Sequence, residues 1–421
     1  MKKREIEIMS PAGSFESLYS AIKAGANSVY FGIDKLNMRA RAAVNFTIED
    51  LEKIVKICNE NSVKTYLTVN IVLYNHDLKQ MKKVCDSAKK AGITAIIAAD
   101  ISAIQYANSI DLQVHISTQA NVSNIEAVKF YSKFSDVVVL ARELTFGQIK
   151  DICETIKNEN ILGKSGELLR IEIFVHGALC VAISGKCYMS LATHNSSANR
   201  GACLQNCRRT YRVIEEDTGN ELVIDNKFVM SPKDLCTVGY IDKILEAGVC
   251  VLKIEGRGRS ADYVYTTTKV YREASDSYLE GDFTKEKIIK WIDELKKVFN
   301  RGFWYGGYYL GKKQEEWSAS YGSQSTKERL FVGRVVHYYP KVGIAEIKLE
   351  TKDVLEGEEV CITGPTTGIL KEKVAGLRVE GEKFNKSKKG DIITFKVSER
   401  VRKNDKLFVI RDRKYVQNYT K

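Results

Sequence analysis

Four of the ten cysteines fall within 28 residues, at Cys180, Cys187, Cys203 and Cys207, in the stretch EIFVHGALCVAISGKC and the following NSSANRGACLQNC. Thiolates drawn together repel one another unless a cation neutralises them, so a quartet of this kind reads as a metal or cluster site. Zinc sites usually show close cysteine pairs at both ends of the spacing. Here six, fifteen and three residues separate successive cysteines, so only Cys203 and Cys207 form such a pair. Ligands spread over two loops suit an iron–sulfur cluster held by four cysteines at least as well. Cys236, in SPKDLC, is the alternative fourth ligand. The other five cysteines sit in apolar patterns typical of core positions.

A cysteine peptidase is the rival chemistry, with His176 or His194 as the base. It needs one activated thiol, a base and an orienting group, and leaves three further cysteines without a purpose. Neither a Gly-x-Ser-x-Gly elbow nor a His-Glu-x-x-His helix occurs in the chain.

The elements that position these residues follow from periodicity. Across the first 257 residues, short β-branched runs alternate with amphipathic stretches, predicting strands at 5–9, 28–31, 65–69, 95–99, 113–117, 136–140, 170–175 and 249–254. The segments KAGANSVYFG, KAGITAIIAAD and EAGVCVLKIEG each close a helix on Ala-Gly and open an apolar run, a repeated helix-to-strand turn. Eight such units predict a TIM-type (β/α)8 barrel, with an open doubly wound sheet as the alternative. Barrel chemistry gathers at the C-terminal strand ends. Those ends carry Ser10, Asn70, Asp100, Gln119, Arg142, His176, Glu255 and Arg257. An extra apolar run at 227–230 reads as an excursion.

Helical spacing from Ile288 to Phe299 predicts a helix packed on the barrel. The aromatic, glycine-rich RGFWYGGYYLGKK follows. Its Arg301, Trp304 and Tyr305 are candidates for stacking unpaired bases beside phosphate contacts, against the alternative of docking a linker. The organisation expected is a barrel over 1–317, a linker over 318–327 and a small antiparallel β-barrel domain over 328–421. That domain has predicted strands at 330–337, 344–349, 359–363, 391–397 and 406–410.

The formal net charge is +12. From Lys327 onward, 22 Lys and Arg face 14 Asp and Glu, an excess of 8. A basic surplus favours a polyanion partner, or simply keeps the surface soluble. Lys388, Lys389, Arg402 and Lys403 are its RNA-contact candidates. The N-terminus lacks the apolar core of a signal peptide and no run reaches membrane-spanning length, so a cytoplasmic protein without membrane contact is expected.

EIFVHGALCVAISGKCYMS resembles the signature of the collagenase-like peptidases of family U32. MSPAGSFESLYSAIKAGANSVYFG, STQANVSN, LARELTF, SANRGACLQNCRR and LKIEGRGRS are similar to its other blocks, so the likeness runs from Ser10 to Arg272. Within the family, GACLQNCRR is most similar to bacterial proteins needed for prephenate-dependent hydroxylation of the tRNA wobble uridine. The resemblance implies a 4Fe-4S cluster on Cys180, Cys187, Cys203 and Cys207, tRNA as partner, and prephenate as a small carboxylate co-substrate; it names no protein partner. It leaves a peptidase, or an RNA-binding scaffold with a structural metal, as alternatives. On this footing Arg142, Arg257 and Arg39 are candidate carboxylate donors. His176 is a candidate proton carrier. Glu172 joins the catalytic set, and Asn70, Gln119, Lys253 and Glu255 the substrate-binding set.

Overall fold

Short runs buried along their whole length, such as Ser28–Phe31 (SVYF), Ala95–Ala98 (AIIA) and Val137–Val139 (VVV), can only be parallel strands walled by helices. The computed structural model, which describes residues 6–34, 36–41, 45–219, 221–222, 230–305, 316–318 and 322–413, places them so. The chain runs β1 (Glu7–Pro11), α1 (Phe15–Lys23), β2 (Ser28–Phe31), α2 (Leu51–Glu60), β3 (Lys64–Val69), α3 (Leu78–Ala91), β4 (Ala95–Ala98) and α4 (Ile101–Ser109). It continues through β5 (Gln113–Ile116), α5 (Ile125–Ser132), β6 (Val137–Val139), α6 (Phe146–Asn158) and β7 (Arg170–Ala178). An excursion then carries α7 (Met189–His194), a short β8–β9 hairpin (Val213–Ile214, Glu221–Leu222), β10 (Asp234–Cys236) and α8 (Ile241–Ala247). Finally β11 (Val251–Ile254) pairs in parallel with both β7 and β1 and closes an eight-stranded barrel.

All eight predicted barrel strands are present, displaced by three residues at most at either end. The Ala-Gly turns work as expected: Gly25, Gly92 and Gly248 all take positive φ, at 84°, 80° and 115°, where a side chain would be strained. Of the 227–230 run, residues 227–229 lie outside the described residues. Strand β10 pairs antiparallel with β7, outside the barrel ring. Helices α9 (Ala261–Glu280) and α10 (Lys285–Lys297) and the short β12 (Phe303–Trp304), which pairs with β10, complete this unit.

The tail forms an eight-stranded antiparallel sheet from β13 (Lys327–Tyr339), β14 (Ile344–Leu349), β15 (Glu359–Gly364), β16 (Gly368–Lys373), β17 (Arg378–Val379), β18 (Glu382–Lys383), β19 (Ile392–Lys396) and β20 (Lys406–Asp412). It encloses its own core, including Val332, Val335, Ile347, Phe395 and Leu407. Strands β16 to β18 escaped the periodicity because one is half lysine and glutamate and two are two residues long. The sheet is seated on the barrel. Lys371 Nζ donates to Thr266 Oγ1 of α9 at 2.9 Å, and Arg329 pairs with Asp262 at 2.8 Å. The linker is docked as well, with Gln324 N donating to Asn300 O at 2.7 Å and Thr326 N to Lys296 O at 2.9 Å.

Inside the barrel, alternation points Glu7, Tyr30, Tyr66, His115, Glu172 and Lys253 inward, all buried. At its lower end Glu7 accepts from Tyr66 Oη at 2.7 Å, Arg170 at 3.0 Å and Lys64 at 3.3 Å. Burial alone would raise this carboxyl; Lys64, Arg170 and Tyr66 outweigh it and hold it down to about 2. A depressed carboxylate stabilises the fold above its ordinary value of 4.5, and that contribution disappears as pH falls towards 2. Replacing Glu7 by Gln should therefore cost about 3 kcal/mol at pH 7. In urea titrations the gap from wild type should narrow below pH 4.5; a gap independent of pH would refute the assignment.

Candidate functional site

The polypeptide leaves β7 through Gly177, whose φ of 103° turns it over the barrel mouth. Only glycine fits: a Cβ there would stand 2.5 Å from Glu255 O. Residues 179–212 then form a cap with little regular structure, pinned by arginines. Arg200 reaches Asp77 at 2.6 and 3.1 Å and Val72 O at 3.0 Å, and lies over the Tyr74 ring at 4.2 Å. Arg208 donates to Leu179 O at 2.5 Å, Pro232 O at 2.6 Å and Ser231 Oγ at 3.1 Å.

Beneath the cap is a cavity of about 280 Å3, and Cys180, Cys187, Cys203 and Cys207 all line it. All four are free thiols; Cys180 is exposed and the others half-buried. Cys236 does not line the cavity. It is 0% exposed in β10, opposite His176, and burial pushes its thiol up to about 12. Among the described residues no three His, Cys, Asp or Glu side chains stand close enough to grip a single metal ion. The thiols ring a space, not a point. A tetrahedral zinc site would need its sulfurs roughly 3.8 Å apart, from a Zn–S bond near 2.3 Å.

Seven cations line the same cavity, Arg39, Arg142, Arg208, Lys253, Arg257, Arg259 and Arg301, against the two carboxylates Glu143 and Glu255. Lys253 forms the floor. Its Nζ meets Glu172 Oε1 at 2.7 Å, while Glu172 Oε2 stands 3.4 Å from His115 Nδ1. The Lys253 ammonium also lies over the rings of Tyr30 (4.7 Å) and Phe174 (5.4 Å). On the wall, Glu255 receives Arg39 at 2.9 and 3.3 Å and Tyr30 Oη at 3.2 Å. Burial favours a neutral Glu255, but Arg39, Arg257 and Arg142 prevail and hold it to about 2. Arg257 donates to Thr68 Oγ1 at 2.8 Å and Asn37 Oδ1 at 3.1 Å. Arg142 lies 3.9 Å over Phe174 and donates to Ala178 O at 3.1 Å. Asn70 and Gln119 also line the cavity, Asn70 accepting from Met38 N at 3.3 Å.

Comparison with known proteins places the chain in a family. The family model described as peptidase family U32 matches residues 13–319. The chain belongs to peptidase family U32. It is 53% identical to a protein of Porphyromonas gingivalis named collagenase, over 97% of this chain and 98% of that one. It is 33% identical to the tRNA hydroxylation protein P1 of Bacillus subtilis, over 85% of this chain and 83% of that one. It is 31% identical to a 23S rRNA 5-hydroxycytidine synthase of Escherichia coli, over 72% of this chain and 45% of that one.

In this U32 chain the structure brings together the four cysteines, Arg39, Asn70, Gln119, Arg142, Lys253, Glu255, Arg257, Arg301 and Trp304 at one cavity. Several expected residues lie elsewhere. Glu172 sits below the floor, touching the cavity only through Lys253. His176 does not line it: a register shift between β7 and β11 turns the ring outward, into a box of Tyr263, Tyr271 and Phe303. There it is 2% exposed and burial lowers its pKa to about 3, so it stands as a neutral packing residue. Arg301 and Trp304 are buried in the cavity wall, not displayed to solvent, and Arg301 is paired with Asp234 at 3.3 Å. Tyr305 is half-exposed and packs on Phe303. Lys388, Lys389, Arg402 and Lys403 are exposed on the tail sheet, outside the cavity. Residues 306–313 of the aromatic stretch lie outside the described residues. Sequence reasoning passed over Arg208, Arg259, Tyr30 and Thr68; the RR and GRGRS blocks contained the first two.

Because Arg200 joins the cap to the β3–α3 loop, Arg200→Met should speed limited proteolysis within residues 179–212 several-fold. Global stability should fall by only about 1 kcal/mol, the worth of a partly exposed ion pair. Unchanged cleavage would mean that the cap is held by other contacts.

Proposed function

We propose that this chain hydroxylates the wobble uridine of tRNA to 5-hydroxyuridine, with prephenate as co-substrate and a 4Fe-4S cluster on Cys180, Cys187, Cys203 and Cys207. The observation that carries this reading is the convergence of four thiols and seven cations on one cavity. The donor set fits the cluster. Four free thiols line one cavity without converging on a single-ion site. Burial pushes the Cys180 thiol up, and Arg142 and Arg39 act against that rise without cancelling it. The cluster would supply electron transfer.

The chain's own residues supply the rest. Arg39, Arg142 and Arg257 offer planar donors for a dicarboxylate, and their compensation by Glu255 keeps them ordered before it arrives. Lys253 can hold a proton at Nζ against substrate, with Glu172 as its buried counter-ion. A cavity of 280 Å3 is too small for folded RNA and suits a single nucleotide swung out of its loop. Asn70 and Gln119, with both donors and acceptors, suit the edge of such a base. The names of the Bacillus and Escherichia relatives support an RNA base as the target.

The collagenase name of the Porphyromonas relative favours the second reading, a peptidase. A cysteine nucleophile needs a base within hydrogen-bond reach. No histidine is among the residues lining the cavity, and exposed His194 bonds to Thr193.

Anaerobically purified protein should be brown and contain iron, and Cys→Ser at any of the four positions should remove most of both. Arg142→Ala should keep the iron but lower 5-hydroxyuridine at least tenfold in tRNA from a strain dependent on this gene, read by mass spectrometry of nucleosides. Zinc alone in the purified protein would overturn the cluster. Normal 5-hydroxyuridine with Arg142→Ala would leave a scaffold role.

A further inference from the structure

One lobe of the cavity gathers more cations than the carboxylate beside it, among the described residues, can balance. Arg208, Arg259 and Arg301 converge there, and the carboxylate beside them is Asp234, 2% exposed, which accepts from Arg301 N at 3.2 Å and Arg301 Nη1 at 3.3 Å. Three cations against one carboxylate leave two positive charges.

The three differ in what occupies them. Arg208 spends its donors on Leu179 O, Pro232 O and Ser231 Oγ, and Arg301 is tied to Asp234. Arg259 is different. Its guanidinium is held by stacking, 3.5 Å over the Phe299 ring and 6.0 Å from that of Tyr263, and among the described residues it donates no hydrogen bond. Phe299 also supports Arg301, at 5.2 Å. An arginine oriented by an aromatic face with its donors free is pre-organised for a bidentate oxyanion.

We infer that Arg259, with Arg301 and Arg208 behind it, is a phosphate subsite that grips the backbone of the nucleotide entering the cavity, apart from the Arg39 and Arg142 side where carboxylates would sit. This deepens the RNA reading above and rests on it for the class of substrate. A phosphate held here would anchor the extruded nucleotide while its base reaches towards Lys253. The pairing of one phosphodiester with two excess charges leaves the lobe still positive, so binding should remain dependent on salt.

The test compares uridine, uridine monophosphate and an anticodon stem-loop RNA on full-length protein. Wild type should bind the monophosphate at least tenfold more tightly than uridine at low salt. Arg259→Gln should erase that preference and reduce the slope of log Kd against log salt for the stem-loop by about one. Arg259→Lys, a charge without the fork, should keep the slope and lose part of the preference. A melting temperature within a few degrees of wild type, and unchanged iron content, separate these effects from misfolding. A preference and slope unchanged in Arg259→Gln would overturn the subsite. Stem-loop binding whose slope ignores Arg259 overturns it too, while leaving RNA as substrate. An Arg259-dependent preference for the monophosphate in a protein that ignores the stem-loop would uphold the subsite and defeat the RNA reading.

Discussion

The half-buried carboxylate of Glu255 allows the mouth of this barrel to exist as a cationic cavity. Arg39 bonds to it directly, Arg257 and Arg142 act on it through space, and Tyr30 donates to its second oxygen. Without that charge, three guanidinium groups would face one another across a poorly solvated space and drive the strand ends apart. With it, they are ordered and still leave the cavity strongly positive. The cap of residues 179–212 can then bring four thiols to the same place, beside the arginines of the cavity wall.

The barrel beneath obeys the same logic of paired charge. Small parallel barrels usually fill their interiors with branched apolar side chains. This one also carries Glu7, Tyr66, His115, Glu172 and Lys253, joined by hydrogen bonds, an ion pair and the Tyr66–His115 ring contact at 4.3 Å. Such a column is tolerable only because each member finds a partner, since an isolated buried charge would cost several kcal/mol. It delivers Lys253 to the cavity floor with its ammonium already compensated. Rigidity below and an irregular, arginine-pinned cap above are a division of labour common to barrel enzymes.

The tail sheet relates differently to the site. Its exposed lysines had suggested the principal RNA surface, yet none lines the cavity, and the cationic groups that do so come from barrel loops and the cap. The sheet is fastened to α9 through Lys371 and Arg329, on the wall of the barrel. On the proposed reading, contacts to RNA from the tail would add non-specific electrostatic attraction, while the nucleotide would be selected at the mouth.

Much of this was legible in the residues alone. Short apolar runs with β-branched residues, interrupted by Ala-Gly turns, can satisfy their backbone and bury both faces in few ways other than a parallel sheet walled by helices, so strand positions followed from local pattern. The thiol quartet was likewise visible, because its members lie within 28 residues. Which side chains face the cavity was another matter. His176 and Lys253 both occupy barrel strand ends, yet a register shift between β7 and β11 sends one into an aromatic box and leaves the other on the floor. Cys236 stood behind Cys207 as the alternative fourth ligand, and its pairing opposite His176 buries it away from the cavity. Arg259 gains its meaning only from Phe299, forty residues later, and from the two arginines packed beside it. Period-two and period-3.6 patterns are local and therefore readable. Facing, burial and charge compensation depend on contacts between residues distant in the chain, and those only the closed barrel and its cap decided.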